Sequence, residues 1–175
     1  AVMQDLGYKL DRKNFFGYSV YGDGLTVNNY NGYFARNGSG TAYLPGVYNP
    51  TPLGVGLHVY GSSNTVTQYG DILTSGFNSI GIRVDGWNNH VIVAPGTKVH
   101  SDGAEGLGLA VVYGKNHCLT LRGEVTALGS GGKAASFDFG SNMMSDLFEV
   151  RGSYIRTVPN AGAWAPAVML DELNG

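Results

Sequence analysis

Gly56-Leu57-His58-Val59-Tyr60-Gly61 and Gly81-Ile82-Arg83-Val84-Asp85-Gly86 stand 25 residues apart and share one pattern. Two apolar residues flank a polar one, and glycine closes the run. Runs of this length suit strands and are too short for helices. A second short run follows the first, Thr65-Val66-Thr67-Gln68-Tyr69-Gly70. The glycines closing the first run of each block are Gly61, Gly86, Gly114 and Gly140, with gaps of 25, 28 and 26. Those closing the second run are Gly70, Gly96, Gly123 and Gly152, with gaps of 26, 27 and 29. A third series, Gly76, Gly103 and Gly131, gives 27 and 28. Three interleaved columns with one period define a repeat of three strands and three turns.

Three short strands per repeat with no helix between them exclude a βαβ sheet, and four-stranded blades fit the count less well. A parallel β-helix uses this period, each repeat forming one coil whose strands pair about 4.8 Å from the next. The expected fold class is therefore all-β, a parallel β-helix with about 27 residues per three-strand coil. Its inward columns then share polarity. Val66, Val91, Leu119 and Phe148 form one column of the second strand, and Gln68, Val93, Leu121 and Val150 the next. Ile72, Val99, Val125 and Ile155 line up in the third strand once a one-residue slip before Val99 and Ile155 is allowed. In the first strand Leu57 and Val59 match Ile82 and Val84, then Ala110 and Val112. Continued to the last block, those columns bury Ser136 and Asp138 and expose Phe137 and Phe139, which requires a bulge or a satisfied buried carboxylate there.

The gap from Gly22 to Gly61 is 39 residues, about 12 more than one period. The surplus matches Tyr43-Leu44-Pro45-Gly46-Val47-Tyr48-Asn49-Pro50-Thr51-Pro52, which carries three of the six prolines. The β-helix is accordingly expected over 18–162 with a loop insertion at 41–52. Val2-Met3-Gln4-Asp5-Leu6, closed by Gly7, predicts a short N-terminal helix. Residues 1–17 read as a cap, a linker or the end of an upstream domain, and 163–175 as a tail leading to further coils. The start has no signal-peptide pattern and no initiator Met, so a fragment or processed product is expected.

The 175 residues include 28 glycines, and 11 Lys and Arg oppose 13 Asp and Glu. A net charge of −2 without a basic block gives no footprint for nucleic acid or an anionic membrane. No apolar run approaches the ~20 residues of a membrane helix, so a soluble segment is expected. Hydrophobic residues at 43% suffice for a core. Cys118 alone excludes an intramolecular disulfide.

Candidates for general acid–base work, close carboxylates or a carboxylate with a basic residue, are Asp102 with Glu105, Asp85 with Arg83, and Asp138 with Asp146. Asp102 and Asp85 each precede a glycine and read as turn residues, with Arg83–Asp85 an exposed pair of little worth. No carboxylate recurs in facing columns as a catalytic cluster requires, so no catalytic residue is assigned. One metal alternative remains: His90 and Cys118 fall in register on adjacent coils, with His117 beside Cys118, and all three are sound zinc or copper ligands. The plainer reading makes Cys118 an apolar filler and His117 a turn residue, and no metal or cofactor is expected. Asn64, Asn89, Asn116 and Asn142 occupy the first turn, where Asn tolerates the left-handed conformation and can bond along a stack of turns. With Gly61, Gly86, Gly114 and Gly140 they are expected as fold determinants. Among the eleven tyrosines, Tyr30, Tyr33, Tyr43 and Tyr48 are the candidate binding surface, because such rings bury area while keeping a polar tip.

Val111-Val112-Tyr113-Gly114-Lys115-Asn116-His117 and Ser136-Phe137-Asp138-Phe139-Gly140-Ser141-Asn142 resemble repeat signatures of bacterial autotransporter passenger β-helices. Gly81-Ile82-Arg83-Val84-Asp85-Gly86 and Arg151-Gly152-Ser153-Tyr154-Ile155-Arg156 do likewise, so the likeness covers about 53–158. It implies a right-handed parallel β-helix exported through a C-terminal outer-membrane barrel to the surface of a Gram-negative bacterium. The scarcity of Cys suits a chain that threads a barrel unfolded. Ala1-Val2-Met3-Gln4-Asp5-Leu6-Gly7-Tyr8 is similar to the closing segment of some secreted metallopeptidase domains, which implies a protease upstream, although no His-Glu-x-x-His occurs in these residues. The function expected is a cell-surface stalk, display or adhesion module without catalysis, its partner a host-surface protein or glycan. The alternatives are a carbohydrate-active β-helix enzyme of the pectin-lyase type and the stalk of an exported protease.

Overall fold

A computed structural model describes residues 10–112 and 116–137, with Leu6, Gly7, Gly114 and the strand at 168–173. The short β-branched runs form strands β1 (Phe16–Val20), β2 (Thr26–Asn29), β3 (Val55–Val59), β4 (Thr65–Gln68) and β5 (Ile72–Thr74). There follow β6 (Ile80–Val84), β7 (His90–Val93), β8 (Lys98–Ser101), β9 (Leu107–Val111), β10 (His117–Leu121), β11 (Glu124–Thr126), β12 (Lys133–Phe137) and β13 (Val168–Leu173). They assemble into sheet A, β1-β3-β6-β9-β12; sheet B, β2-β4-β7-β10-β13; and sheet C, β5-β8-β11. Every pairing between these strands is parallel. The chain visits A, B and C in turn, so the fold is a β-solenoid of about three turns with about 27 residues per turn. The 3-10 turn Arg12–Asn14 is the one helical element among the described residues. The helix expected at Val2–Leu6 lies almost wholly outside them.

The core is a stack of apolar columns. Val66, Val91 and Leu119 meet in sheet B, and Ile72, Val99 and Val125 in sheet C, as the repeat predicts. Sheet A differs by one residue. Leu57 and Ile82 are followed by Leu109, and Val59 and Val84 by Val111, all fully buried, whereas Ala110 faces the Arg83 column. Glycine-to-glycine counting misplaces this strand because the turn before Gly114 holds one residue more than the turn before Gly86. The corrected register also removes the conflict in the last block. Phe137 stands opposite Val111 and packs on the core, and Ser136 stands opposite Ala110. Asp138, Phe139, Gly140, Asn142, Asp146, Phe148, Val150, Gly152 and Ile155 lie outside the described residues. Beside β10, the partners of Leu119 and Leu121 are Leu170 and Leu173 of β13. Thus backbone expected to be tail extends sheet B.

Glycine at 56, 81 and 108 is required by proximity. A Cβ on Gly81 would stand 2.4 Å from the Gly108 carbonyl oxygen and 2.6 Å from Val99 Cγ1. This column lets sheets A and C close around the core. In the third glycine series the residue stacked on Gly103 is Gly129, whose Cβ would meet the Gly103 oxygen at 2.1 Å, and Gly131 falls outside the stack.

The insertion is a hairpin excursion from coil one. Tyr33 pairs with Ile72 and Asn49 with Thr74, while Arg36 and Tyr43 pair antiparallel between them. Ala35 and Asn37 bond to Val47 and Ala42 across the hairpin. The excursion therefore spans 35–48 and not 41–52. Asn49 is buried and belongs to the coil, its amide donating to the carbonyls of Asn14 and Phe34 at 3.1 and 3.2 Å.

Candidate functional site

The turn between sheets A and B carries a buried polar ladder. Asn64 Oδ1 accepts from the Leu25 N–H at 2.8 Å, and Asn89 Oδ1 accepts from the Asn64 N–H at 2.9 Å. The next rung is His117, whose Nδ1 accepts from the Asn89 N–H at 3.4 Å. Asn116 stands one residue earlier, exposed, with φ 58°, in the left-handed position shared by Ser63 and Asn88. This corrects the expected column: the imidazole of His117, not the Asn116 amide, continues the ladder. Its 1% exposure turns His117 inward, away from the metal alternative. His90 and Cys118 are register partners on the outer face of sheet B, and His90 Nε2 is 2.9 Å from Thr120 Oγ1. The three side chains do not converge, and no group of three metal-ligand residues exists among the described residues.

The carboxylate candidates separate in the same way. Asp102 Oδ1 accepts from Thr126 Oγ1 at 2.9 Å and from the Leu128 N–H at 3.0 Å, capping the following coil. Glu105 is an exposed turn residue with φ 55°. Tyr48, at the foot of the hairpin, places its hydroxyl 2.6 Å from His100 Nδ1. His100 Nε2 lies 3.3 Å from Glu124 Oε1, but not in hydrogen-bonding geometry. Burial and the charges of Asp102 and Glu124 push the Tyr48 phenol up from its ordinary value. This cluster pins the hairpin to sheet C.

Of the four tyrosines expected at the surface, Tyr30 is exposed, Tyr43 and Tyr48 are half-buried and Tyr33 is inside. Tyr33 is fully buried beneath the hairpin with its hydroxyl on the Asn14 carbonyl, and burial pushes its phenol up. Tyr43 is half-buried, donates to the Lys13 carbonyl at 2.8 Å and lies under the Arg36 guanidinium. Tyr30 stacks on Tyr69 at 4.7 Å.

A richer arrangement lies on the outer face of sheet A, where β1 places Ser19, β3 places His58 and β6 places Arg83 in one register column. His58 is buried, and its Nε2 meets Asp85 Oδ2 at 2.6 Å. Arg83 Nε donates to the same oxygen at 2.9 Å. This pair is half-buried and shared with a histidine, not the exposed ion pair the sequence suggests. Burial alone would raise the Asp85 carboxyl, but the bonds from His58 and Arg83 outweigh it, and the net shift is downward. The His58 ring stacks on Tyr60 with centroids 3.4 Å apart, and Tyr60 stacks on Tyr21 at 4.8 Å. Burial raises the Tyr60 phenol, with Tyr21 and Asp85 adding to it and Arg83 opposing.

Beside this stack is a hollow of about 450 Å³ whose lining includes Arg12, Lys13, Tyr18, Ser19, Tyr21 and Tyr60. A serine, a histidine and an aspartate thus follow one another across three coils, the residue types of a nucleophile, base and orienting acid. Ser19 makes no hydrogen bond to His58, so the base reaches no nucleophile here. The Asp85–His58 contact instead fixes the imidazole against Tyr60. Sequence reasoning missed His58 because nothing in its own run marks it; only the coil-to-coil register brings Asp85, 27 residues on, against its ring. No protein-family model, curated protein or solved structure matches this chain.

Proposed function

We propose that this chain is a display or stalk module of a cell-surface protein, the passenger segment of an autotransporter, without catalysis of its own. The observation that carries the reading is how the polar side chains are employed. Asn64, Asn89 and His117 join coil to coil, Asp102 caps the next turn, and Asp85 and His58 brace an aromatic stack. A solenoid built this way lengthens by repetition and presents its loops and rings on the outside. The repeat signatures quoted above supply the autotransporter part of the reading, together with export across a Gram-negative outer membrane and a host-surface protein or glycan as partner. Protease shaving of intact cells that make the full-length protein tests it. Release of fragments from this segment, lost when the C-terminal barrel is deleted, is the expected result. A segment protected in intact cells and cleaved only after lysis overturns the surface assignment.

A further inference from the structure

The hollow beside β1 combines three features that elsewhere in the described residues occur apart. The first is a braced aromatic platform. Tyr60 is held between His58 at 3.4 Å and Tyr21 at 4.8 Å, with His58 held by Asp85 and Asp85 by Arg83. Tyr21, at the outer end of the stack, is 72% exposed, so one ring face meets solvent. A platform fixed in this way loses little side-chain entropy when something stacks on it. The second feature is positive charge. Arg12 and Lys13 stand side by side on the 3-10 turn and neither is held in an ion pair among the described residues; the adjacent Asp11 carboxylate is bound by Arg36 at 2.8 Å and feels Lys13 only as a weaker attraction. The third is a set of neutral hydroxyls, those of Ser19, Tyr18, Tyr21 and Tyr60, around one hollow of about 450 Å³. That volume lies within the usual range for small-ligand sites.

We propose that this hollow binds an anionic oligosaccharide, one sugar ring stacking on Tyr21 while a carboxylate of the neighbouring unit is held by Arg12 and Lys13. The apolar C–H face of a pyranose matches an aromatic face, and its ring hydroxyls match the serine and phenol tips. Two adjacent cations with only one nearby carboxylate, itself bound by Arg36, select an anion and supply the long-range attraction. An acidic peptide would satisfy the cations but leave the flat ring and the hydroxyls unused. The inference deepens the display-module reading and rests on it only for the setting in which the ligand is met.

Calorimetric titration of the purified 175-residue chain tests it, with a hyaluronan tetrasaccharide as the probe and chitotetraose and a tetraglutamate peptide as comparisons. Saturable binding of the hyaluronan fragment that weakens with salt is expected, with neither comparison binding as well. Tyr21→Ala, a surface change that leaves the melting temperature in place, should lower affinity roughly tenfold, as should Arg12→Gln with Lys13→Gln, which also flattens the salt dependence. His58→Ala, which frees Tyr60, should weaken binding severalfold, and an unchanged affinity removes the braced platform from the account. Chitotetraose binding equally well removes the cations from the account, and tighter binding of tetraglutamate makes the site a peptide site. Absence of binding by the hyaluronan fragment, or an unchanged affinity in Tyr21→Ala, overturns the proposal. The shaving experiment on cells is indifferent to each of these outcomes, so the two conclusions fail separately.

Discussion

Replacing Asn89 by alanine removes a side chain that serves three backbone groups at once. Its Nδ2 donates to the carbonyls of Gly61 and Asp85, both at 2.7 Å, and its Oδ1 accepts from the Asn64 N–H at 2.9 Å. Asn89 is fully buried, as are its partners at Asn64 and Gly61, to which water has no ready route, while the Asp85 carbonyl is half-buried. Each backbone group left unpaired in such a place costs about 1–3 kcal/mol. Allowing for partial relaxation, the sum is about 3–5 kcal/mol against a domain stability of about 5–15. For a chain of this size that corresponds to roughly a 10 °C fall in melting temperature. Asn64→Ala should cost less, about 1–2 kcal/mol, because its partners at Gly22 and Leu25 are exposed and water replaces the lost bonds. Asn116→Gly should change stability by no more than about 0.5 kcal/mol, since the position is exposed and glycine accepts φ 58°. Urea denaturation followed by circular dichroism, with the slope unchanged among variants, measures all three. If Asn116→Gly costs as much as Asn89→Ala, or if Asn89→Ala melts within about 2 °C of the parent, the ladder does not join the coils as argued.

Four further expectations test other parts of the fold. Deleting 35–48 and joining Phe34 to Asn49 should preserve cooperative melting, because Tyr33 pairs with Ile72 and Asn49 with Thr74, leaving one residue to stand opposite Leu73. Deleting 41–52 should instead broaden or lower the transition, since it removes Asn49 and its bonds to Asn14, Phe34, Leu73 and Ser75. The Asp85 carboxyl is held below its ordinary value against the opposing effect of burial, so its contribution is present in full above the unfolded value of about 3.9 and is lost as pH falls through the folded one. Asp85→Asn should accordingly show a shallower loss of stability below about pH 4 than the parent in denaturation measured across pH. Gly81→Ala should destabilise by about 1–3 kcal/mol, because its methyl would need room already taken by the Gly108 carbonyl and Val99, and retained stability would mean that sheets A and C can part at no cost.

The repeat was legible from residue order alone because a solenoid translates period into space. Every coil must present an apolar residue at the same step, and the glycines mark turns where coils stack closely. Leu57, Ile82, Val66, Val91 and Ile72 declare themselves in this way, and so does the existence of an insertion, which lengthens one period. Register within a coil was not legible, since a turn can absorb an extra residue and leave its glycine in sequence with the others. The turn before Gly114 does so, and as a result Leu109, Val111 and Phe137 are inside while Ala110 and Ser136 face the other way. The ladder's third rung was legible by contrast: Asn64, Asn89 and His117 each stand three residues after their glycine, whereas Asn116 stands two after Gly114. The candidate site was further from view. His58, Asp85, Tyr60 and Tyr21 are separated by up to 64 residues, and their types carry no message at those spacings. Only parallel pairing, which brings residues a full coil apart within about 5 Å, makes one cluster of them and gives the solenoid a face on which something can bind.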